Sequence, residues 1–113
     1  MDCLFCRIVE KQIPSTVVYE DAEMLAFRDI NPEAPFHVLV IPKKHIGSLA
    51  EVTGADEQLV GRMLGKIRDI AAKEGLNDEG WRVVANTGAR AGQSVKHLHF
   101  HLLGGRHFHW PPG

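Results

Sequence analysis

Three of the chain's seven histidines fall at alternate positions in His97-Leu98-His99-Phe100-His101-Leu102-Leu103. On an extended strand successive side chains face opposite ways, so His97, His99 and His101 share one face at a spacing of about 6.6 Å. Imidazoles so spaced can surround a phosphate or a metal ion. Lys96, Leu98, Phe100 and Leu102 lie on the other face, where the apolar three can meet a core. Just upstream, Thr87-Gly88-Ala89-Arg90-Ala91-Gly92-Gln93-Ser94 delivers two glycines and a hydroxyl to this strand. Glycines let backbone amides close on an anion, and successive amides can form an anion-binding nest.

Two further groups belong with the histidines. Cys3 and Cys6 stand three apart. In a reducing compartment that spacing suits metal or redox chemistry better than a structural disulfide, with two plain thiols as the alternative. His37 is the sole polar residue in the apolar run Phe36 to Ile41. It is either a hydrogen-bonded core histidine or a site residue, because an unsatisfied buried imidazole is costly. Asp29 precedes the breaker Asn31-Pro32-Glu33-Ala34-Pro35 and is either a local cap or an acceptor for ligand hydroxyls.

The elements that must position these groups are legible from periodicity. Leu4, Phe5, Ile8 and Val9 fit one face of a short helix that Pro14 stops. Thr16 to Glu20 and Met24 to Asp29 read as a hairpin around Asp21-Ala22-Glu23. Phe36 to Ile41 reads as a buried central strand, and Trp81 to Asn86 as another. Ser48-x-x-Glu51 and Thr53-x-x-Asp56 match the helix-start pattern, with a short turn near 49–52 and a long helix from about 55 to 74. Its stripe is Leu59, Val60, Met63, Leu64, Ile67, Ile70 and Ala71, and Gly75 suits its C-terminal cap. Phe108 and Trp110 in the tail are costly to leave in water, and a partner subunit is the favoured surface for them.

The chain's 113 residues suit one domain with a modest core. Apolar residues make up 44% and charged residues 24%, which argues against disorder. A net charge of −1 gives no global field for nucleic acid or an anionic membrane, so neither is expected as a partner. Met1-Asp2-Cys3 does not begin a signal peptide, and no apolar run approaches the roughly 20 residues of a membrane helix. A cytoplasmic protein is the expectation.

These segments closely resemble the histidine triad (HIT) superfamily, whose motif is His-x-His-x-His followed by apolar residues. The resemblance spans nearly the whole chain, including Phe27 to Ile30, Ala34 to His45, Asn86 to Gly88 and Gly92 to Ser94. The ending, Gly104-Gly105-Arg106 with His109-Trp110-Pro111-Pro112-Gly113, is similar to the Hint branch in particular. The resemblance implies an α+β, HIT-like fold: a five-stranded antiparallel sheet with one long helix and a short N-terminal helix. It implies a single domain over 1–113 and a homodimer with a continuous sheet. The tail, about 104–113, would lie at the dimer interface, with Trp110 reaching toward the partner's site.

The implied activity is hydrolysis of purine nucleoside 5′-phosphoramidates through a nucleotidyl-histidine. By resemblance His99 is the nucleophile, His101 and His37 stabilise charge at the phosphate, and Ser94 contacts phosphate oxygens or the leaving nitrogen. Gly92 and the Gln93 amide region line the phosphate, and Asn86 stands beside it. Asp29 would accept the ribose hydroxyls, and Phe5, Ile8, Phe27 and Ile30 would form the base pocket with Leu4 nearby. Some members carry Cys-x-x-Cys and resemble a structural zinc site that His45 and His97 would complete here beside Cys3 and Cys6. Two thiolates and two imidazoles suit tetrahedral zinc, and the chemistry itself requires no metal. A dinucleoside polyphosphate hydrolase or nucleotidyl transferase of another branch, or a non-catalytic nucleotide- or zinc-binding module, remain alternative readings.

Overall fold

Strands with apolar residues on both faces need cover on both sides, and two helices of unequal size supply it. The structure, a computed structural model, describes residues 3–113, so the reading of Met1 and Asp2 lies outside the described residues. The elements are α1 (Leu4–Val9), β1 (Val17–Glu20), β2 (Met24–Arg28), β3 (Phe36–Pro42), α2 (Glu57–Lys73), β4 (Trp81–Val84) and β5 (Phe100–Gly104). The strands form one antiparallel sheet in the order β1-β2-β3-β5-β4. The expected α+β architecture, a five-stranded antiparallel sheet with one long helix and a short N-terminal helix, is therefore the one observed.

β3 is buried along its whole length. Phe36, Val38 and Val40 join Leu98, Phe100, Leu102 and the α2 residues Leu59, Met63 and Ile67 in a large core. Leu39 and Ile41 point the other way, into a smaller cluster with Leu25, Phe27, Phe5 and Ile8. The period of two thus sends alternate residues to different helices. Leu4 and Val9 do not share the buried face of α1; Leu4 is exposed and Val9 half-buried, and only Phe5 and Ile8 are buried.

α2 begins after a 3-10 turn at Gly54–Asp56, slightly later than its periodicity indicates. The Thr53 N–H and hydroxyl both donate to the Asp56 carboxylate, which Lys44 also reaches at 2.7 Å. Ser48 precedes a 3-10 turn at Leu49–Glu51 but makes no side-chain cap. At the other end Gly75, at φ +74, lets its own N–H reach the Ala72 carbonyl and the Leu76 N–H reach that of Ala71. That paired closure uses the left-handed conformation glycine adopts without penalty.

β1 and β2 are each one residue shorter than the pattern indicates, and two strands fall further short. β4 ends at Val84 rather than Asn86, and β5 begins at Phe100 rather than His97. The Leu98 N–H donates to the Ile46 carbonyl at 2.6 Å, and the His97 carbonyl accepts from the His99 ring. These groups are withdrawn from the ladder, although the alternation of faces continues through them.

Candidate active site and metal centre

The register aligns Phe27 on β2 with Leu39 on β3, and Leu39 with His101 on β5. This cross-strand row is the floor of a cavity of about 280 Å³. α1 contributes Leu4, Phe5 and Ile8 to its wall, the β2 exit contributes Asp29 and Ile30, and the glycine loop contributes Ser94. His99 and His101 complete it. One side is apolar and the other carries hydroxyl, carboxylate and imidazole groups, as expected for a small polar-headed ligand.

Sequence reasoning missed Ile13, Pro14, Ser15, Arg28, Asn31, Leu39 and Val95, which also line the cavity. Leu39 alone had a usable signal, since it lies two residues beyond His37 on the same strand face. Arg28 ends β2 on the face opposite Phe27, and the others arrive on irregular segments whose path has no local period.

Hydrogen bonds assign the ring protons. His99 Nδ1 lies 2.7 Å from the His97 carbonyl, so it donates there and leaves Nε2 as the ring's lone pair. The Glu33 N–H donates to His37 Nδ1 at 3.0 Å, which puts the His37 proton on Nε2. That nitrogen is 2.9 Å from His101 Nδ1 and 3.5 Å from Asp29 Oδ2. His101 Nδ1 therefore accepts, and its own proton resides on Nε2. His37 and His101 occupy diagonal positions of the β3–β5 pair, within reach for side chains of this size.

Burial lowers the pKa of His37, against the upward pull of Asp29 and Glu33. Burial, then His99 and His37, lowers His101 to about 4. Both rings are neutral near pH 7, as this hydrogen-bond pattern requires.

Asp29, His37 and His101 also bring ligand-type atoms within 4.8 Å of one another. A metal on His37 Nε2 would force the ring proton to Nδ1, where it would face the Glu33 N–H, donor against donor. The trio is a hydrogen-bonded chain rather than a metal centre.

The glycine loop is tied down by Gln93. Its side-chain amide donates to the Gly47 and Val95 carbonyls and accepts from the Gly88 N–H, while its own N–H donates to the Gly88 carbonyl. The donors expected for phosphate are spent inside the chain, so Gln93 shapes the loop. Gly92 is in the left-handed region at φ +85. Asn86, Gly92, Gln93 and His37 are not in the cavity lining, nor is Trp110, which is 81% exposed. Phe108 is half-buried, with the guanidinium groups of Arg106 and Arg82 at 4.4 Å and 5.2 Å from its ring centre.

Behind the cavity wall Cys3, Cys6, His45 and His97 converge. Cys3 Sγ is 3.5 Å from His97 Nδ1; Cys6 Sγ is 3.6 Å from that nitrogen and 3.3 Å from His45 Nδ1. The two imidazole nitrogens are 3.1 Å apart. A tetrahedral ion bonded at about 2.3 Å to sulfur and about 2.0 Å to nitrogen spans edges of roughly 3.3 to 3.8 Å. The observed separations match within a few tenths of an ångström. His97 Nε2 donates to the Pro42 carbonyl at 2.8 Å, which turns Nδ1 toward the thiols as a ligand needs. Burial, then Cys3, pushes the Cys6 thiol up to about 11; a bound dication would reverse that balance. Among the described residues no helix is long and apolar enough to cross a membrane.

The family model described as scavenger mRNA decapping enzyme C-term binding matches residues 2–109. An uncharacterized HIT-like protein of Synechococcus elongatus is 53% identical over 112 residues, covering 99% of this chain and 97% of that one. A 14 kDa zinc-binding protein of Zea mays is 52% identical, covering 97% of this chain and 87% of that one. The crystal structure of a HIT family hydrolase from Legionella pneumophila superposes with a TM-score of 0.97 at 50% identity, covering 99% of this chain and all of that one.

Proposed function

The chain belongs to the histidine triad superfamily, and from that premise we propose that it is a nucleotide-binding hydrolase of the Hint branch that cleaves the P–N bond of purine nucleoside 5′-phosphoramidates. The observation that carries this reading is the pair of fixed tautomers side by side. His99 holds a lone pair on Nε2 and His101 a proton on Nε2, with ring centroids 5.0 Å apart at the cavity. One is the form a nucleophile needs and the other the form that donates a hydrogen bond to charge developing at phosphorus or the leaving nitrogen.

In this mechanism His99 Nε2 attacks phosphorus, and the P–N bond breaks as the departing nitrogen, hydrogen-bonded by the His101 Nε2–H, takes up a proton from solvent and leaves as the amine. A water then attacks the nucleotidyl-histidine, losing a proton to solvent, and the His99–phosphorus bond breaks to release the nucleotide. Ser94 supports a phosphate oxygen or the leaving nitrogen. Asp29 accepts from the ribose, with Oδ1 already steadied by the Asn31 N–H at 2.8 Å. Phe5, Ile8, Phe27 and Ile30 hold the base in an apolar slot that selects purines by size and tells adenine from guanine poorly.

Cys3, Cys6, His45 and His97 hold zinc, which supplies cross-linking energy between α1 and the sheet and enters no chemical step. Thiolate ligands suit a reducing compartment, and the cytoplasm is the proposed place of action. The protein works as a homodimer. The free edge of β4 supports this, together with the exposed Trp110 on a tail tied to β4 by the Arg82 bond to the His109 carbonyl at 2.9 Å.

The test is steady-state hydrolysis of an adenosine phosphoramidate by wild type and His99→Ala. We expect loss of roughly three or more orders of magnitude in the variant with AMP still bound, since no second nucleophile is positioned. Absence of wild-type turnover, with cleavage of a diadenosine polyphosphate instead, would overturn the assignment.

A further inference from the structure

We propose that Arg106, which lies outside the cavity, is a positioning residue for the active-site hydrogen-bond donor His101: it grips the backbone of Glu33, and Glu33 in turn fixes the tautomers of His37 and His101. The inference deepens the hydrolase reading above, on which its functional meaning rests.

The grip follows from the sheet. Phe36 pairs with Gly104, so the end of β5 lies beside the start of β3 and the loop before it. Gly105 then turns at φ +92, so close to that loop that a Cβ there would stand 3.0 Å from Pro35 Cβ. This turn presents Arg106 Nε to the Glu33 carbonyl, to which it donates at 2.8 Å. The guanidinium also donates to the His107 carbonyl at 3.0 Å and stacks on Phe108. Its rotamer is therefore held from three sides, unlike that of an ordinary surface arginine.

Glu33 is held at both ends of its main chain. Its carbonyl accepts from Arg106, and its N–H donates to His37 Nδ1. A neutral imidazole has two tautomers, and the hydrogen bond made by one nitrogen decides which is present. While the Glu33 N–H faces Nδ1, the His37 proton must lie on Nε2, His101 Nδ1 must accept it, and His101 must carry its proton on Nε2. If Glu33 moves away, the chain can run in reverse. His37 then keeps its proton on Nδ1, His101 Nδ1–H donates back, and His101 Nε2 has no N–H to offer the leaving nitrogen. Asp29 Oδ2 still favours a proton on His37 Nε2 from 3.5 Å, so releasing Glu33 yields a mixture of tautomers rather than a full reversal.

The experiment is long-range proton–nitrogen correlation of ¹⁵N-labelled histidines at pH 7 in wild type, Arg106→Ala and Arg106→Lys, with phosphoramidate kinetics on the same samples. In wild type, His37 and His101 are expected as pure Nε2–H tautomers. In Arg106→Ala both should show averaged nitrogen shifts, while His99, held by the His97 carbonyl, stays unchanged. kcat should fall roughly tenfold or more with KM within about twofold, as for the loss of a donor that acts mainly in the transition state. Lysine restores a donor toward the Glu33 carbonyl and should recover both signals. Wild-type tautomers in Arg106→Ala would overturn the proposal, as would equal disturbance of His99, which would mean general loosening. Expected tautomer changes in a protein that turns over no phosphoramidate would support the positioning and remove the hydrolase reading alone.

Discussion

His97 and His99 send their rings to different sites yet are joined through the main chain: His99 Nδ1–H donates to the His97 carbonyl over 2.7 Å. The His97 ring meanwhile turns Nδ1 toward the cysteines. Phe5 lies edge-on to both rings, with centroids 5.9 Å from His97 and 5.1 Å from His99. The Cys3, Cys6, His45 and His97 cluster and the cavity are thus two sides of one partition, made of α1 and the segment 97–99.

Removing the metal should therefore act on the cavity. A six-residue helix does not persist alone in water, and Cys3 and Cys6 sit at its start and within it. Stripping with a chelator should lower Tm by about 10 °C or more, corresponding to a loss of about 2 kcal/mol for a chain of this size. Amide exchange in residues 4–9 should accelerate, and AMP should bind more weakly. Zinc should restore all three in wild type but not in Cys3→Ser. Thermal melts with and without chelator check it; equal melting curves would remove the structural role.

Stability should fall as pH drops from about 6.5 toward 4. Burial depresses the pKa values of His37 and His101, the latter to about 4. Between that value and the ordinary histidine value of about 6.5, the unfolded chain binds more protons than the folded one, so unfolding free energy rises with pH across this window. The contribution is fully present above the unfolded value and is lost as pH falls through the folded one. Urea midpoints at pH 7 and pH 5 check the sign. A higher midpoint at pH 5 would contradict it.

Gly105→Ala should destabilise by about 1–2 kcal/mol, because alanine at positive φ is strained and its methyl would press on Pro35. Gly54→Ala is the matched control, with nothing within 4 Å of the added carbon and no positive φ. Urea unfolding of the two variants should separate them clearly; equal midpoints would mean the 105 turn relaxes freely.

The alternation of Leu98, Phe100 and Leu102 with the three histidines revealed the two-faced sheet in advance, because a period of two is a property of neighbouring residues. The same locality explains what stayed hidden. The length of β5 depends on a bond from Leu98 to Ile46, in a segment with no periodic signal. The His37–His101 contact depends on a register that joins distant segments diagonally. Gln93 has the chemistry of a phosphate ligand, and only the positions of Gly47, Gly88 and Val95 show that its donors are spent elsewhere. Nothing in the sequence brings Arg82 and Arg106 to the ring of Phe108, since that contact depends on the path of the tail.

The sheet separates two apolar clusters, one against α2 and one against α1. Exchanges of similar volume among Met63, Ile67 and Leu102 alter packing in a cluster none of whose members lines the cavity. Exchanges at Phe5, Phe27 or Leu39 alter packing and the ligand's surroundings together. Mutational tolerance is accordingly divided between the two cores: descendants of this chain can drift in one, while changes at these members of the other are also changes in what the protein recognises.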